Sequence, residues 1–465
     1  MPILRLMLAL LLAPAAFAQP LATRLQAHLQ APRFEASRWG ASVVSLDTGR
    51  TVFEQDAGKY FVPASNAKLF TCAMALCRLG PERRIRTSVL AGGRPGPDGV
   101  LQGDLVLFGR GDPMLLARWH GYPGTPDPFE ALAAQVAAAG VRVVRGDVVG
   151  DDSFFRTRPF GSGWESGDRD YAFGADVSAL TVHDNMVDLR IYPGAGGGPC
   201  HLFPIPGLGL LPLRNLTSTG AGPGLRALWE GEELVVTGSL AAGAAPASLA
   251  VPVRRPALFA AGLLRRALER HGVRITGGAA ARTAPAPVEL AFVESPAVRD
   301  LVKATLKDSI NLYAQLLLLQ AGGSEEAGLA TLADFLKEAG IPAGDVLLEE
   351  GAGLSRKDLV KPRALTALLK FMAARPEGPA FADALPLAAV DGTLRSRMGD
   401  SPAAANVRAK TGTLRNTHSL AGYVTTAAGE RLAFSIILNN HVSPAPAADL
   451  DAAAVLLAEQ AARVQ

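Results

Sequence analysis

Ser65 and Lys68 stand three residues apart in the run Pro63-Ala64-Ser65-Asn66-Ala67-Lys68. The run is expected to open a helix, and residues three apart share a helix face, so the Lys68 amine can lie beside the Ser65 hydroxyl. A serine hydroxyl is a weak nucleophile until a neighbouring base removes its proton. Lysine serves as that base only when burial or another cation lowers its pKa. Lys410, heading Lys410-Thr411-Gly412-Thr413, is the candidate second cation. The helix start adds partial positive charge where an oxyanion would form. A third group, Ser309-Ile310-Asn311, falls between two helical stretches. Taken singly these patterns are weak: a capped helix with a surface lysine explains the first equally well. Only Lys68, however, among the lysines of this chain has a serine three residues before it.

The three groups in this order are a signature of enzymes that acylate an active-site serine. No Gly-x-Ser-x-Gly occurs, which argues against an α/β-hydrolase nucleophile elbow. A Ser-His-Asp triad stays open, because its members need only be neighbours in space. The seven histidines show no metal-ligand spacing, and no cofactor is expected. His418, close to the third group, is a candidate border of the cleft. Arg110-Gly111-Asp112 reads as a turn before Pro113, not as an adhesion tripeptide.

The elements that must position these residues are partly legible. Residues 40–54 alternate as a hairpin about the turn Asp47-Thr48-Gly49. A helix follows from about Ser65 and stops at Gly80-Pro81. The Gly/Pro-rich residues 91–98 suggest a boundary, followed by a strand near 104–108, a helix over 129–140 and a strand near 146–150. Residues 185–252 lack helical periodicity and read as β-rich, whereas the chain from 256 to about 320 reads as strongly helical. Two strands, 419–425 and 432–439, and a helix from about Ala447 close the sequence.

With those motifs quoted, the chain resembles the low-molecular-mass class C penicillin-binding proteins, the D-alanyl-D-alanine carboxypeptidase/endopeptidase family. Gly109-Arg110-Gly111-Asp112-Pro113, Ser178-Ala179-Leu180, Glu350-Gly-Ala-Gly-Leu-Ser-Arg356 and Asp391-Gly-Thr-Leu394 fit its secondary patterns. The departures are Arg110, Ile310, Glu350 and Ala352, where the family commonly has Gly, Asp, Asp and Ser. The resemblance implies an α/β (α+β) fold: a β-lactamase/transpeptidase-like domain, its antiparallel sheet flanked by helices, interrupted by inserted α/β and β-rich domains. The expected division is a signal peptide over 1–18, transpeptidase-like segments over 19–88 and 256–465, and insertions over 89–255. It implies Ser65 as nucleophile, Lys68 as general base, and Ser309 with Lys410 as a proton relay to the leaving amine. Asn311 would hold the substrate amide, and Thr411, Gly412 and Thr413 the terminal carboxylate, with backbone N–H groups of Ser65 and Thr413 as oxyanion hole. Peptidoglycan peptides would be the substrates and β-lactam antibiotics covalent inhibitors. In Gly150-Asp151-Asp152-Ser153-Phe154-Phe155, Asp152 is the candidate acid for the free amine of a diamino acid in the stem peptide; an Asx turn closing a strand is the plainer alternative. A serine β-lactamase or esterase of the same fold, or a catalytically silent cell-wall binding protein, are the alternatives.

Composition agrees with an exported enzyme. The 465 residues are 49% hydrophobic, and a net charge of +3 without basic runs makes nucleic acid an unexpected partner. Arg5, the apolar run Leu6–Ala16 and the small-x-small Ala16-Phe17-Ala18 read as a signal peptide, which places the protein in the periplasm. No later segment is apolar enough for a membrane anchor. Cys72, Cys77 and Cys200, an odd number, do not define a disulfide framework.

Overall fold

The computed structural model describes residues 20–115 and 127–463; the expected signal peptide lies outside the described residues. One part of the chain is built on a five-stranded antiparallel sheet, in the order Arg408–Leu414, Thr417–Thr425, Arg431–Asn439, Arg38–Ser45 and Thr51–Gln55. The N-terminal hairpin is thereby completed by the end of the chain, with Ala41 opposite Ile436. Strand Arg431–Asn439 is buried along nearly its whole length, because both faces of the sheet are covered. Leu432, Phe434, Ile436 and Leu438 face the helices Leu21–Leu29 and Pro446–Ala458, while Ala433 and Ile437 face a larger helical layer. This is the period-two alternation of a strand read from both sides.

The centre of the helical layer is Ala67–Leu79. Every residue from Ala67 to Leu76 is buried, Lys68 and Thr71 included, so the helix has no solvent face over that stretch. It packs against Val298–Lys307, Asn311–Gly322 and Pro362–Ala373. Gly80, at φ +87°, ends it just before Pro81, a backbone region open to glycine.

A second sheet draws on segments from both sides of residues 88 and 256, where boundaries were expected. Strand Arg86–Ala91 pairs with Leu105–Phe108 on one side and Val288–Glu294 on the other, in a second five-stranded sheet that also holds Val148–Asp151 and Ala279–Ala281. Helix Pro256–Arg270 buries Phe259, Leu264 and Leu268 in the same apolar cluster as Leu105 and Val148, so it packs with the second sheet and not with the first. The crossings fall near residues 81–85 and 295–297, where Ile85 and Ser295 exchange two hydrogen bonds: Ile85 N–H to Ser295 Oγ at 2.9 Å and Ser295 N–H to the Ile85 carbonyl at 2.8 Å. The helical run expected over 256–320 is broken by three strands, Arg274–Ile275, Ala279–Ala281 and Val288–Glu294. Arg274–Ile275 and Ala279–Ala281 are too short to show a period of two, whereas Val288–Glu294 carries an alternation that the helical reading passed over. The Gly/Pro-rich stretch 91–98 is an interior loop of the insertion. Within residues 185–252, Met186–Tyr192 pairs with His201–Ile205 and Ala247–Pro252, and Glu233–Leu240 pairs with Leu213–Thr219 and Arg226–Glu230. The C-terminal helix seats Leu450, Ala453, Ala454 and Leu457 on the sheet, and among the described residues no helix is long and apolar enough to cross a membrane.

Candidate active site

Ser65 sits in a single 3-10 turn, Ala64–Asn66, that runs into the buried helix Ala67–Leu79. Ala64 has φ +49°, a left-handed conformation that side chains other than glycine hold only when packing enforces it. The enforcing neighbours are two glycines. A Cβ on Gly353 would meet the Ala64 carbonyl oxygen at 2.0 Å, and one on Gly412 would meet the Pro63 carbonyl at 2.7 Å. Ser419 Oγ donates to that same Pro63 carbonyl at 2.6 Å. The turn is thus gripped between the sheet edge and the 351–355 loop, which fixes where the Ser65 hydroxyl points.

Three motifs spread along the chain from Ser65 to Lys410 meet here. Lys68 Nζ lies 2.8 Å from Ser65 Oγ, 2.5 Å from Asn311 Oδ1 and 2.6 Å from the Ala352 carbonyl. Lys410 Nζ donates to Ser309 Oγ at 2.8 Å and to the Thr411 carbonyl at 2.7 Å. Both lysines are wholly buried. Burial brings Lys68 down to about 8, against the opposing pull of Glu350. Burial also holds Lys410 well below the ordinary lysine range, helped by the Lys68 charge nearby. A desolvated amine beside a serine hydroxyl is a base poised to accept its proton. Ser309, at φ +60°, links the helices Val298–Lys307 and Asn311–Gly322 in a strained bend that turns its hydroxyl toward Lys410.

The cleft beside these groups encloses about 580 Å³, within the usual range for a ligand pocket. Ser65, Ser309, Asn311, Thr411 and Thr413 line it. Gly412 lies in the strand Arg408–Leu414 at the edge of the sheet, so three strands in succession close the chain where two were expected. Asn311 Nδ2 donates to the carbonyl of Phe173, which the insertion places across the cleft.

Sequence reasoning missed part of this wall. Thr393 lines the cleft and its hydroxyl lies 2.8 Å from that of Thr411; the quoted Asp391-Gly-Thr-Leu394 contained that signal. Arg356 and Arg415 also line it, Arg356 donating to Glu165 at 3.1 Å and to the Arg415 carbonyl at 3.1 Å. Asp168, whose carboxyl burial pushes up, faces the cleft from a 3-10 turn that no sequence pattern announced. Asp152 is not brought to the cleft. It is exposed and accepts from Ser178 Oγ at 2.7 Å. Its neighbour Asp151 caps the strand end by accepting the Ser153 and Ala284 N–H groups, each at 3.0 Å, which is the turn geometry of the plainer alternative. His418 is the cross-strand partner of Thr413, but its Nδ1 contacts His441 Nε2 at 2.8 Å. The three cysteines are free. Among the described residues no group of three or more His, Cys, Asp or Glu converges as a metal site.

A mixed α/β fold with a sheet-edge Lys-Thr-Gly strand over a Ser-x-x-Lys helix defines the β-lactamase/transpeptidase-like class. Residues 21–461 match the D-Ala-D-Ala carboxypeptidase 3 (S13) family, and the chain belongs to that family of peptidases. It is 36% identical to a D-alanyl-D-alanine carboxypeptidase of Actinomadura sp. (strain R39), over 94% of this chain and 84% of that one. It is 26% identical to D-alanyl-D-alanine carboxypeptidase DacB of Haemophilus influenzae, over 88% of this chain and 86% of the relative. Among solved structures, penicillin binding protein 4 (dacB) of Haemophilus influenzae superposes with a TM-score of 0.80 at 25% identity, covering 92% of this chain and 97% of that one. The same protein has been crystallised with a β-lactam.

Proposed function

We propose that this enzyme cleaves the D-alanyl-D-alanine bond of peptidoglycan stem peptides through an acyl-enzyme on Ser65, and that penicillin acylates the same oxygen. The observation that carries this reading is the Lys68 amine, dry and 2.8 Å from Ser65 Oγ. Neutral Lys68 takes the hydroxyl proton as Ser65 Oγ adds to the penultimate D-alanine carbonyl. The oxyanion is met by the backbone N–H groups of Ser65 and Thr413; one such donor is worth about 2.7–4 kcal/mol. Ser309, hydrogen-bonded to Lys410, hands a proton to the departing amine as the C–N bond breaks, and the proton that Lys68 took moves to the Ser309 oxygen through the Lys410 amine, leaving Lys68 neutral again. Water then attacks the ester, its proton passing to the same base, to release the shortened peptide and restore Ser65. Asn311 orients the peptide amide, and Thr411 and Thr413 bind the terminal carboxylate beside the Lys410 amine. In penicillin the four-membered ring amide takes the place of the peptide bond, and its amine stays tethered.

Endopeptidase action on cross-links needs a grip on the diamino acid beyond the D-alanyl end. Asp168, at the cleft, is the acid for its free amine, in place of Asp152. The chain acts outside the cytoplasm, in the periplasm, where its substrate is. The test is mass spectrometry after penicillin treatment. The tryptic peptide holding Ser65 should gain the mass of one penicillin, and Ser65→Ala should stay unlabelled. Label that persists in Ser65→Ala refutes the assignment.

A further inference from the structure

The loop behind Lys68 is wound around a carboxylate. Glu350 is wholly buried, and its oxygens accept the N–H groups of Ala352 at 2.7 Å, Leu354 at 2.8 Å and Ser355 at 3.4 Å. The same loop offers the Ala352 carbonyl to the Lys68 amine at 2.6 Å, and its Gly353 and Leu354 line the cleft. One anion therefore organises both the seat of the base and part of the cleft floor. A second carboxyl, Asp358, is also wholly buried and lies against Glu350. Asp358 Oδ1 accepts the Glu349 N–H at 2.8 Å, while Oδ2 meets no donor among the described residues.

Two adjacent buried carboxyls cannot both ionise. A proton on Asp358 Oδ2 removes the second charge and supplies the donor that Glu350 accepts. Of the two, Glu350 is the one whose oxygens already accept three N–H groups. Burial first, and then the neighbouring Glu350, push Asp358 well above the carboxylate range, in keeping with a proton on Asp358.

We propose that Glu350 and Asp358 share one proton and one negative charge behind Lys68, making Glu350 a positioning residue that holds the loop around the amine and sets the pH at which Lys68 becomes a base. The proposal rests on Lys68 being the base of acylation. The charged and titratable groups around Lys68 are Cys72 on its own helix, Glu350 and Asp358 from the loop, and Lys410 from the sheet edge. Asp358 also faces Glu349, whose carboxylate lies 3.7 Å from the Lys357 amine. An anion favours the protonated amine, so removing it must lower the pH at which Lys68 loses its proton.

The test is the second-order rate of acylation by a chromogenic cephalosporin from pH 5 to 9. Glu350→Gln should move the acid limb down by about one unit, the lower end of what one nearby charge does. Its plateau should fall, because an amide NH2 cannot accept the loop N–H groups. Glu350→Asp keeps the charge and should hold the limb in place. Asp358→Asn should also hold it, since its amide accepts the Glu349 N–H and donates to Glu350 as the acid does. These two variants carry the test if Glu350→Gln fails to fold. A normal wild-type limb that Glu350→Gln leaves unmoved overturns the proposal alone, as does a one-unit shift in Asp358→Asn. A wild-type profile flat across the range removes the base role of Lys68 and the proposal with it.

Discussion

The protonation state of Lys68 gives the sharpest quantitative prediction. The amine is wholly buried and is held at about 8. At pH 7 about one molecule in ten then carries it neutral, against about three in ten thousand for an unperturbed lysine. Burial enriches the base about 300-fold, equivalent to about 3 kcal/mol. Acylation should therefore climb about tenfold between pH 6 and pH 7 and level off above pH 8. The cost appears in stability, with a definite sign. A lysine whose folded pKa lies below its unfolded one binds fewer protons when folded, so stability rises with pH between the two values. The penalty of about 3 kcal/mol should be fully present below pH 8 and fade between 8 and the ordinary lysine value. Lys68→Arg keeps a cation that cannot give up its proton. It should acylate at least about a hundredfold more slowly, the lower range for loss of a general base. Stopped-flow acylation with a chromogenic cephalosporin measures the rates, and urea unfolding at pH 7 and 9.5 measures the stability. A midpoint near that of an unperturbed lysine, or an arginine variant within tenfold of wild type, would refute the reasoning.

Three further outcomes follow from the geometry. Gly412→Ala places a Cβ 2.1 Å from Ser419 Oγ and 2.7 Å from the Pro63 carbonyl; displacing the Ser65 turn should slow penicillin labelling about a hundredfold while circular dichroism shows a folded protein. Asp168→Asn should lower kcat/KM on stem peptides with a free side-chain amine and spare their acetylated counterparts, whereas Asp152→Asn should treat both alike; equal effects of Asp168→Asn on the two peptides would remove Asp168 from recognition. Phe434→Ala empties a fully buried site between the sheet and the terminal helices, and its urea midpoint should report a loss of about 3–5 kcal/mol.

What could be read from the residues divides along physical lines. The hairpin at Arg38–Gln55, the helix after Ser65 and the closing strands carry strong local signals, turn residues between alternating runs and an apolar helix ended by glycine. Fold class and family follow from motifs that are each local in sequence. The domain boundaries were not local. Helix Pro256–Arg270 looks like any amphipathic helix, and only the cluster it fills assigns it to the insertion. The same holds for the cleft wall: Phe173 and Asp168 reach the site through tertiary packing of the insertion, in segments whose own sequence favours nothing but turns. Asp152 had the right chemistry and a plausible strand end, yet the chain turns it away toward Ser178.

The pairing of Arg38 with Asn439 also dictates when the molecule can begin to work. Until Arg431–Asn439 is made, the hairpin carrying the first strands has only itself to pair with, and a lone two-stranded ribbon is marginal in water. The insertion suffers no such delay, because Val288–Glu294 closes its sheet well before the Lys-Thr-Gly strand exists. A growing or incompletely threaded chain therefore holds a finished insertion and an open, unpaired catalytic edge. Ser65 gains its neighbours from the sheet only at the last step, so no shorter fragment should take the antibiotic. If penicillin acylates Ser65 as proposed, labelling should count finished molecules, while the exposed edge leaves the unfinished enzyme open to pairing with its own copies.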